Sequence, residues 1–373
     1  MIPFNKPVFL GTELAALRTA IETNGHLAGG GPFGKRCEEQ LSARLGQRTL
    51  LVTSCTHALE LIGLLLDLKP GDEFIVPSFT FVSTANAFVL RGARPVFADC
   101  DRFGNIAPEE VARLMSPRTR AVVVVHYAGN ACDMKGLAQA AGRVPLIEDA
   151  AQALGASLGG QPLGSFGLMA AFSFHETKNV GSGEGGALTL RDESLLERAE
   201  YIREKGTNRR RFQQGLVDKY TWVDVGSSYV LSDLNAAYLS VQLDAFEQIQ
   251  ARRHAIYARY ERELSGALVD AGGYLITHRA GVTPNAHLFG MVLRSADARG
   301  RFIASLRDHQ IMAPFHYVAL HGSPMGAQFH DGRPLPHSTR LSECLVRLPL
   351  FYNLSDEQQG EVIARAREAL ASA

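Results

Sequence analysis

Apolar residues fall into two alternating patterns along the first half of the chain. Short unbroken runs at 49–53, 74–77, 95–98, 121–125 and 145–147 are separated by stretches at 57–68, 82–90, 108–115 and 134–141, whose apolar positions recur every third and fourth residue. The runs read as strands buried on both faces and the stretches between them as amphipathic helices. Strands that alternate with helices at this spacing form crossover units. The pattern therefore predicts an α/β domain with a large, mostly parallel sheet sandwiched by helices. Ligands of such sheets bind beyond the carboxyl ends of the strands, so the residues just after each run are the candidates for chemistry.

The flanking segments complete the outline. A helix is predicted over 12–23, with Leu14, Leu17 and Ile21 on one face, stopping at Asn24-Gly25. Residues 29–36, GGGPFGKR, nearly spell a phosphate-binding loop. Arg36 stands where that motif needs Ser or Thr, and a helix precedes the glycines instead of a strand, so the segment reads as a flexible Gly-Pro connector. A helix over 193–203 leads into 204–228, which is polar, basic and aromatic with little periodicity; a loop of that length is functional or disordered. A helical tract from 231 to about 264 leads to a smaller α+β unit from 286 onward. That unit has a strand near 288–293, a helix over 298–309 and a last helix over 355–371 capped by Ser355. The expected division is 1–245 for the large domain with its N-terminal segment, and 246–373 for the linker helix and small C-terminal domain.

Composition narrows the function. Lysine plus arginine equals aspartate plus glutamate at 38 each, so no overall field favours nucleic acid or an anionic membrane, and any bound anion must be held locally. The five cysteines form no CxxC pair, which argues against a disulfide framework or a zinc site and suits a reducing cytoplasm. HExxH is absent, His316 and His321 are wrongly spaced for one helix face, and no metal is expected. The chain start lacks a basic stretch followed by an apolar one, and no apolar run approaches the roughly 20 residues that span a bilayer, so a soluble, cytoplasmic protein is expected.

Candidate chemistry gathers at the strand ends. In 171–187, AFSFHETKNVGSGEGGA, Lys178 lies between strand-like residues and a glycine-rich turn. A partly desolvated lysine there can lose its proton and hold an aldehyde cofactor as a Schiff base. The run ending at Ile147 is followed by Glu148-Asp149, and strand alternation lets one carboxylate face a ligand. We assign Asp149 to a pyridinium nitrogen and Glu148 to structure, the alternative being that Asp149 only caps the helix after it. Ser54-Cys55-Thr56 opens a helix whose free amides suit a phosphate, with Ser173 as a further hydroxyl, although serine and threonine there also serve as plain caps. Phe81 could stack on a planar ring or lie in the core. His126, His175 and His287 read as satisfied polar or supporting groups. The arginines of 203–211 read as solvated, with one or two available to a diphosphate. No GxSxG motif is present, and Ser173 lacks an obvious base.

Taken together, SxTxALE at Ser54, EDAAQ at Glu148 and SFHETKN followed by GEGGAL around Lys178 resemble the DegT/DnrJ/StrS family of sugar-nucleotide aminotransferases over nearly the whole chain. That resemblance implies the type I fold of pyridoxal 5'-phosphate enzymes. It also implies that Lys178 carries the cofactor, Asp149 pairs with its ring nitrogen and Gln152 contacts the ring face or phenolic oxygen. Cys55, Thr56 and Ser173 would hold the phosphate, and Phe81 would stack on the ring. A homodimer with shared sites is implied, with 226–229 of one subunit reaching its neighbour. Many relatives have asparagine there, where this chain has Ser228 and Val230. The runs MIPFNKP, PSFTFVSTANAFVLRGA, IREKGTNR, VDKYTW and RLPLFYNLS are similar to the subgroup that makes dTDP-4-amino-4,6-dideoxygalactose. They imply L-glutamate as donor, a dTDP-4-keto sugar as acceptor and a product used in lipopolysaccharide, O-antigen or enterobacterial common antigen. A 3-dehydratase would resemble relatives with histidine at the Lys178 position. A 3-aminotransferase, an enzyme of GDP- or UDP-sugars, and a non-catalytic cofactor-binding regulator are the other readings within reach.

Overall fold

The computed structural model describes residues 1–372. Five strands, β1 (Arg48–Val52), β2 (Glu73–Pro77), β3 (Arg94–Ala98), β4 (Thr119–Val125) and β5 (Leu146–Asp149), appear where the unbroken apolar runs lie. A short hairpin follows, β6 (Ser157–Leu158) and β7 (Gln161–Pro162), and then β8 (Met169–Ser173) and β9 (Gly186–Leu190). The main sheet has seven strands in the order β1-β9-β8-β5-β4-β2-β3, and β9 runs antiparallel to both of its neighbours while the other pairings are parallel.

Strand alternation feeds two separate cores. In β4, Val123 packs with the helices Cys55–Leu65 and Val82–Val89, while Val122 and Val124 pack with Pro108–Leu114 and Met134–Ala141 on the opposite face. Both faces are therefore dry, which is why these strands carry no polar alternation.

The chain then adds β10 (Tyr274–Leu275), β11 (Val282–Thr283), β12 (Phe289–Val292) and β13 (Leu345–Leu348). The order β10-β12-β13 forms a second, antiparallel sheet, and β11 joins the β6–β7 hairpin. Helices Phe246–Asp270, Ala296–Asp308 and Asp356–Ala371 bury their apolar stripes around the second sheet. The last of them starts with a full capping box between Ser355 and Gln358. The N-terminus lies against this unit, where Ile2 pairs with Ile311.

Three expectations are corrected. Residues 29–36 are not a flexible connector, because helix Pro32–Leu45 begins there, with proline in its first turn and Gly31 as N-cap. The carboxylate of Asp233, distant in sequence, takes the Gly34 amide at 2.7 Å and the Phe33 amide at 3.4 Å. A Cβ on Gly31 would stand 2.4 Å from that carboxylate, so the glycine serves a close approach rather than freedom. The tract from 231 to 264 is two helices, Asp233–Asp244 and Phe246–Asp270, broken at Ala245. The helix expected over 12–23 is α-helical only from Glu13 to Arg18, and Thr19–Thr23 continues as a π turn.

Candidate active site

The carboxyl ends of β1, β2, β4, β5 and β8 surround a cavity of ≈ 630 Å³. Its walls include Cys55, Thr56, Phe81, Asp149, Gln152, Ser173 and Lys178, so seven residues singled out from sequence come together in one place. Ser228 does not line it. That residue is exposed, and its backbone bridges to Glu204.

Lys178 stands in the turn between β8 and β9. Its amide donates to the His175 carbonyl at 2.9 Å, and Ser182 and Phe174 close the turn through Ser182 N to Phe174 O at 2.8 Å and Phe174 N to Gly185 O at 2.8 Å. The next residue locks the turn from behind. Asn179 donates to Gln250 Oε1 at 2.9 Å and to the Asn285 carbonyl at 2.7 Å, and its Oδ1 lies 2.9 Å from His287 Nδ1. Burial pushes the Lys178 ammonium pKa down, helped by Arg347 and opposed by Cys55 and Asp149. Its Nζ makes no hydrogen bond or ion pair with the described residues.

The two adjacent carboxylates have opposite surroundings. Glu148 is wholly buried and accepts amides from Gly164 and Phe166 at 2.8 Å and from Gly167 at 2.5 Å, with His126 Nε2 at 2.7 Å. Asp149 points into the cavity, where Thr84 Oγ1 donates to Oδ2 at 2.7 Å and the Ala151 amide to Oδ1 at 3.1 Å. Burial raises the Asp149 pKa, and these two bonds together with Lys178 and His126 pull it back. A cation brought next to this carboxylate would be held strongly, because water does not screen it.

Opposite Asp149, helix Cys55–Leu65 presents its first amides. Its N-cap Ser54 accepts the His57 amide at 3.1 Å, which leaves the turn at Cys55 and Thr56 facing the cavity. Gly186 of β9 crosses directly beneath, where a Cβ would come within 2.4 Å of the Cys55 nitrogen. Thr56 Oγ1 donates to Ser83 Oγ at 2.8 Å. Phe81 is not core: it is 53 % exposed at the cavity mouth, with its ring centroid 6.1 Å from that of Tyr317. Gln152 is committed at both ends, taking the Ala128 amide at 2.7 Å and donating to the Tyr317 hydroxyl at 2.8 Å.

Thr84, Tyr317, His316 and Arg347 are the residues that sequence reasoning missed or misplaced. Thr84 had a usable signal: with Thr80 it forms an i, i+4 polar pair, 2.9 Å apart. His316 stacks on Tyr317 at a centroid separation of 3.7 Å, and Tyr127 and His316 share a 2.6 Å bond. The arginines of 203–211 are also corrected in part. Arg203 is buried, paired with Glu38 and bonded to the Leu51 carbonyl at 2.9 Å, and Arg210 and Arg211 pair with Glu200 and Glu197.

The Thr84 bond makes a testable point. A hydrogen bond donated to a carboxylate favours the ionised form, so Thr84→Val leaves burial less opposed and raises the Asp149 pKa further. The acid limb of the activity profile should move to higher pH, with a loss of roughly tenfold near neutrality. A profile that superimposes on the wild type would show that the hydroxyl does not tune Asp149.

Comparison with known proteins places this geometry. The family model described as the DegT/DnrJ/EryC1/StrS aminotransferase family matches residues 10–367. The aminotransferase TlmJ from Streptoalloteichus hindustanus is 34% identical, covers 100% of this chain and 99% of its own, and superposes with a TM-score of 0.91. The sugar aminotransferase Spr1654 from Streptococcus pneumoniae, solved in its PMP form, is 26% identical with both chains covered at 100% and a TM-score of 0.91. Its PLP form matches at 25% identity over 100% of this chain and 99% of that one, with a TM-score of 0.90.

Proposed function

This chain belongs to the DegT/DnrJ/EryC1/StrS aminotransferase family, whose members depend on pyridoxal phosphate, and from that premise we propose that it carries an amino group from L-glutamate to the C4 keto group of dTDP-4-dehydro-6-deoxyglucose. The products are 2-oxoglutarate and dTDP-4-amino-4,6-dideoxygalactose. The observation that supports the chemistry is the pairing, within one cavity, of an amine without a partner among the described residues at Lys178 and a buried carboxylate at Asp149. The sugar and base are supported by the subgroup motifs, from MIPFNKP to RLPLFYNLS.

The residues present suit the cofactor. Lys178 is the amine that attaches it, Asp149 keeps the proton on its ring nitrogen, and the amides of Cys55 and Thr56 with the Thr56 and Ser173 hydroxyls hold its phosphate. Phe81 would cover the ring, and Gln152 would flank it. When bound, the group supplies an aldehyde that takes up amines and a ring that accepts the electron pair of the adjacent carbon–hydrogen bond. Lys178 Nζ takes the proton from the donor α-carbon and, in the return half, a proton from the Lys178 side reaches sugar C4 and sets its configuration. The lowered pKa of that amine leaves it unprotonated, and so basic, closer to neutral pH than a surface lysine.

In the 226–229 segment residues 226–228 are exposed and Tyr229 is buried, so the exposed part, with Ser228, suits a homodimer in which it completes the partner's site. The division at 245/246 assigns the sheet to one domain and β12–β13 with their helices to the other. No helix among the described residues is long and apolar enough to cross a membrane, and a cytoplasmic dimer is the form proposed.

Incubating the holoenzyme with glutamate and a panel of dTDP-, UDP- and GDP-linked 3- and 4-keto sugars, then identifying the amino sugar by mass and NMR, tests base, position and configuration together. The dTDP-4-keto-6-deoxy sugar should turn over at least about tenfold faster by kcat/KM than the others, a discrimination within reach of a few buried polar contacts. Faster turnover of another keto sugar replaces the substrate and leaves the aminotransferase standing.

A further inference from the structure

Arg347 of β13 lines the same cavity as Lys178 and Asp149, yet it is the one arginine there and has no acidic partner among the described residues. Its Nη2 donates to the Phe315 carbonyl at 2.9 Å, its Nε is buried without any acceptor, and the Phe4 ring covers the guanidinium at 4.4 Å. The groups around it are the phenols of Tyr127 and Tyr317 and the bases Lys178, His287 and His316. Elsewhere in the fold Arg203 is neutralised by Glu38 and Arg198 by Asp67 and Asp224, while the buried Arg253, which also lacks an acidic partner, has both its Nε and its Nη2 taken up by the carbonyls of Ala286 and His287 and lines no part of this cavity. A guanidinium removed from water is destabilising unless acceptors or an anion satisfy it, and Arg347, with its Nε unsatisfied, leaves that place to an anion arriving with the ligand.

We propose that Arg347 binds the α-carboxylate of the amino donor. The inference rests on the aminotransferase reading and not on the identity of the sugar. A carboxylate is one bond away from the α-carbon whose proton Lys178 must reach, so a ligand spanning Lys178 and Arg347 is a small amino acid. The diphosphate of a nucleotide sugar sits on C1, across the ring from C4, and is too remote from the reacting carbon to occupy the same place. The planar fork of arginine matches a carboxylate in two bonds, and β13 fixes its base through the pairing of Arg347 with Gly290. Phe4 belongs to the N-terminal segment that Ile2 anchors to Ile311, and the adjacent Asn5 donates to the Glu176 carbonyl at 3.2 Å, two residues before Lys178. One segment thus braces both the guanidinium and the lysine turn.

The test separates the two half-reactions in purified holoenzyme of wild type, Arg347→Gln and Arg347→Lys. Glutamate is titrated while the cofactor absorbance is followed, 2-oxoglutarate binding is measured by calorimetry, and the keto sugar nucleotide is titrated against amine-loaded enzyme. Arg347→Gln should raise the half-saturating glutamate and 2-oxoglutarate concentrations about 10- to 100-fold. The sugar arm should change by less than about threefold. Arg347→Lys, which keeps the charge and loses the fork, should recover part of the donor arm and carries the test if the glutamine variant does not fold. Loss confined to the sugar arm, equal loss in both, or no loss overturns the proposal. A wild-type enzyme that shows no response to glutamate would sink the aminotransferase reading instead.

Discussion

Lys178→Ala is expected to lose at least about 10⁴-fold in turnover, together with the visible absorbance that the attached cofactor gives the purified protein. The loss is large because, on the proposed reading, one amine serves twice, as the point of attachment and as the group that moves the proton. The fold should survive, since Nζ makes no hydrogen bond that the turn depends on and Asn179 supplies the anchoring from the other side. Small added amines should restore part of the turnover without restoring attachment. Turnover equal to the wild type in the alanine variant would sink the assignment of Lys178.

Asp149→Asn is expected to cost about 10²- to 10⁴-fold in kcat while the protein still takes up cofactor. Asparagine has the same shape, and its carbonyl can keep the Ala151 amide while the Thr84 hydroxyl turns to accept from the new NH₂. What it lacks is the negative charge that keeps a proton on the ring nitrogen, so the electron sink weakens and the packing does not change. Comparing kcat with cofactor affinity and melting temperature checks this. Undiminished kcat would mean that another group supplies the charge.

Most strand ends were legible because burial on both faces removes polar alternation, and a parallel sheet places chemistry after each such run. That reasoning reached Cys55, Phe81, Asp149 and Lys178 before any coordinates. It failed at Pro32, where the glycines looked like a loose connector, because the partner that organises them, Asp233, lies 199 residues from Gly34. It failed at Arg203 for the same reason, since Glu38 is 165 residues away. Thr84 was within reach through its spacing from Thr80, whereas Tyr317 stands in a loop with no local motif, and Arg347 opens the RLPLFYNLS run without any local sign of which groups surround it.

The order of elements, the glycine-rich turn around Lys178 and the acid at the end of β5 were determined by the sequence alone, because each depends on local spacing. The amides that hold Glu148 and the hydroxyl that holds Asp149, the commitment of Gln152 to Tyr317 and the lack of an acidic partner for Arg347 among the described residues were decided only by the tertiary structure. These depend on which distant amides, hydroxyls and carbonyls arrive at the sheet edge. A buried polar group takes its properties from whatever satisfies it, and here those partners come from the far end of the chain.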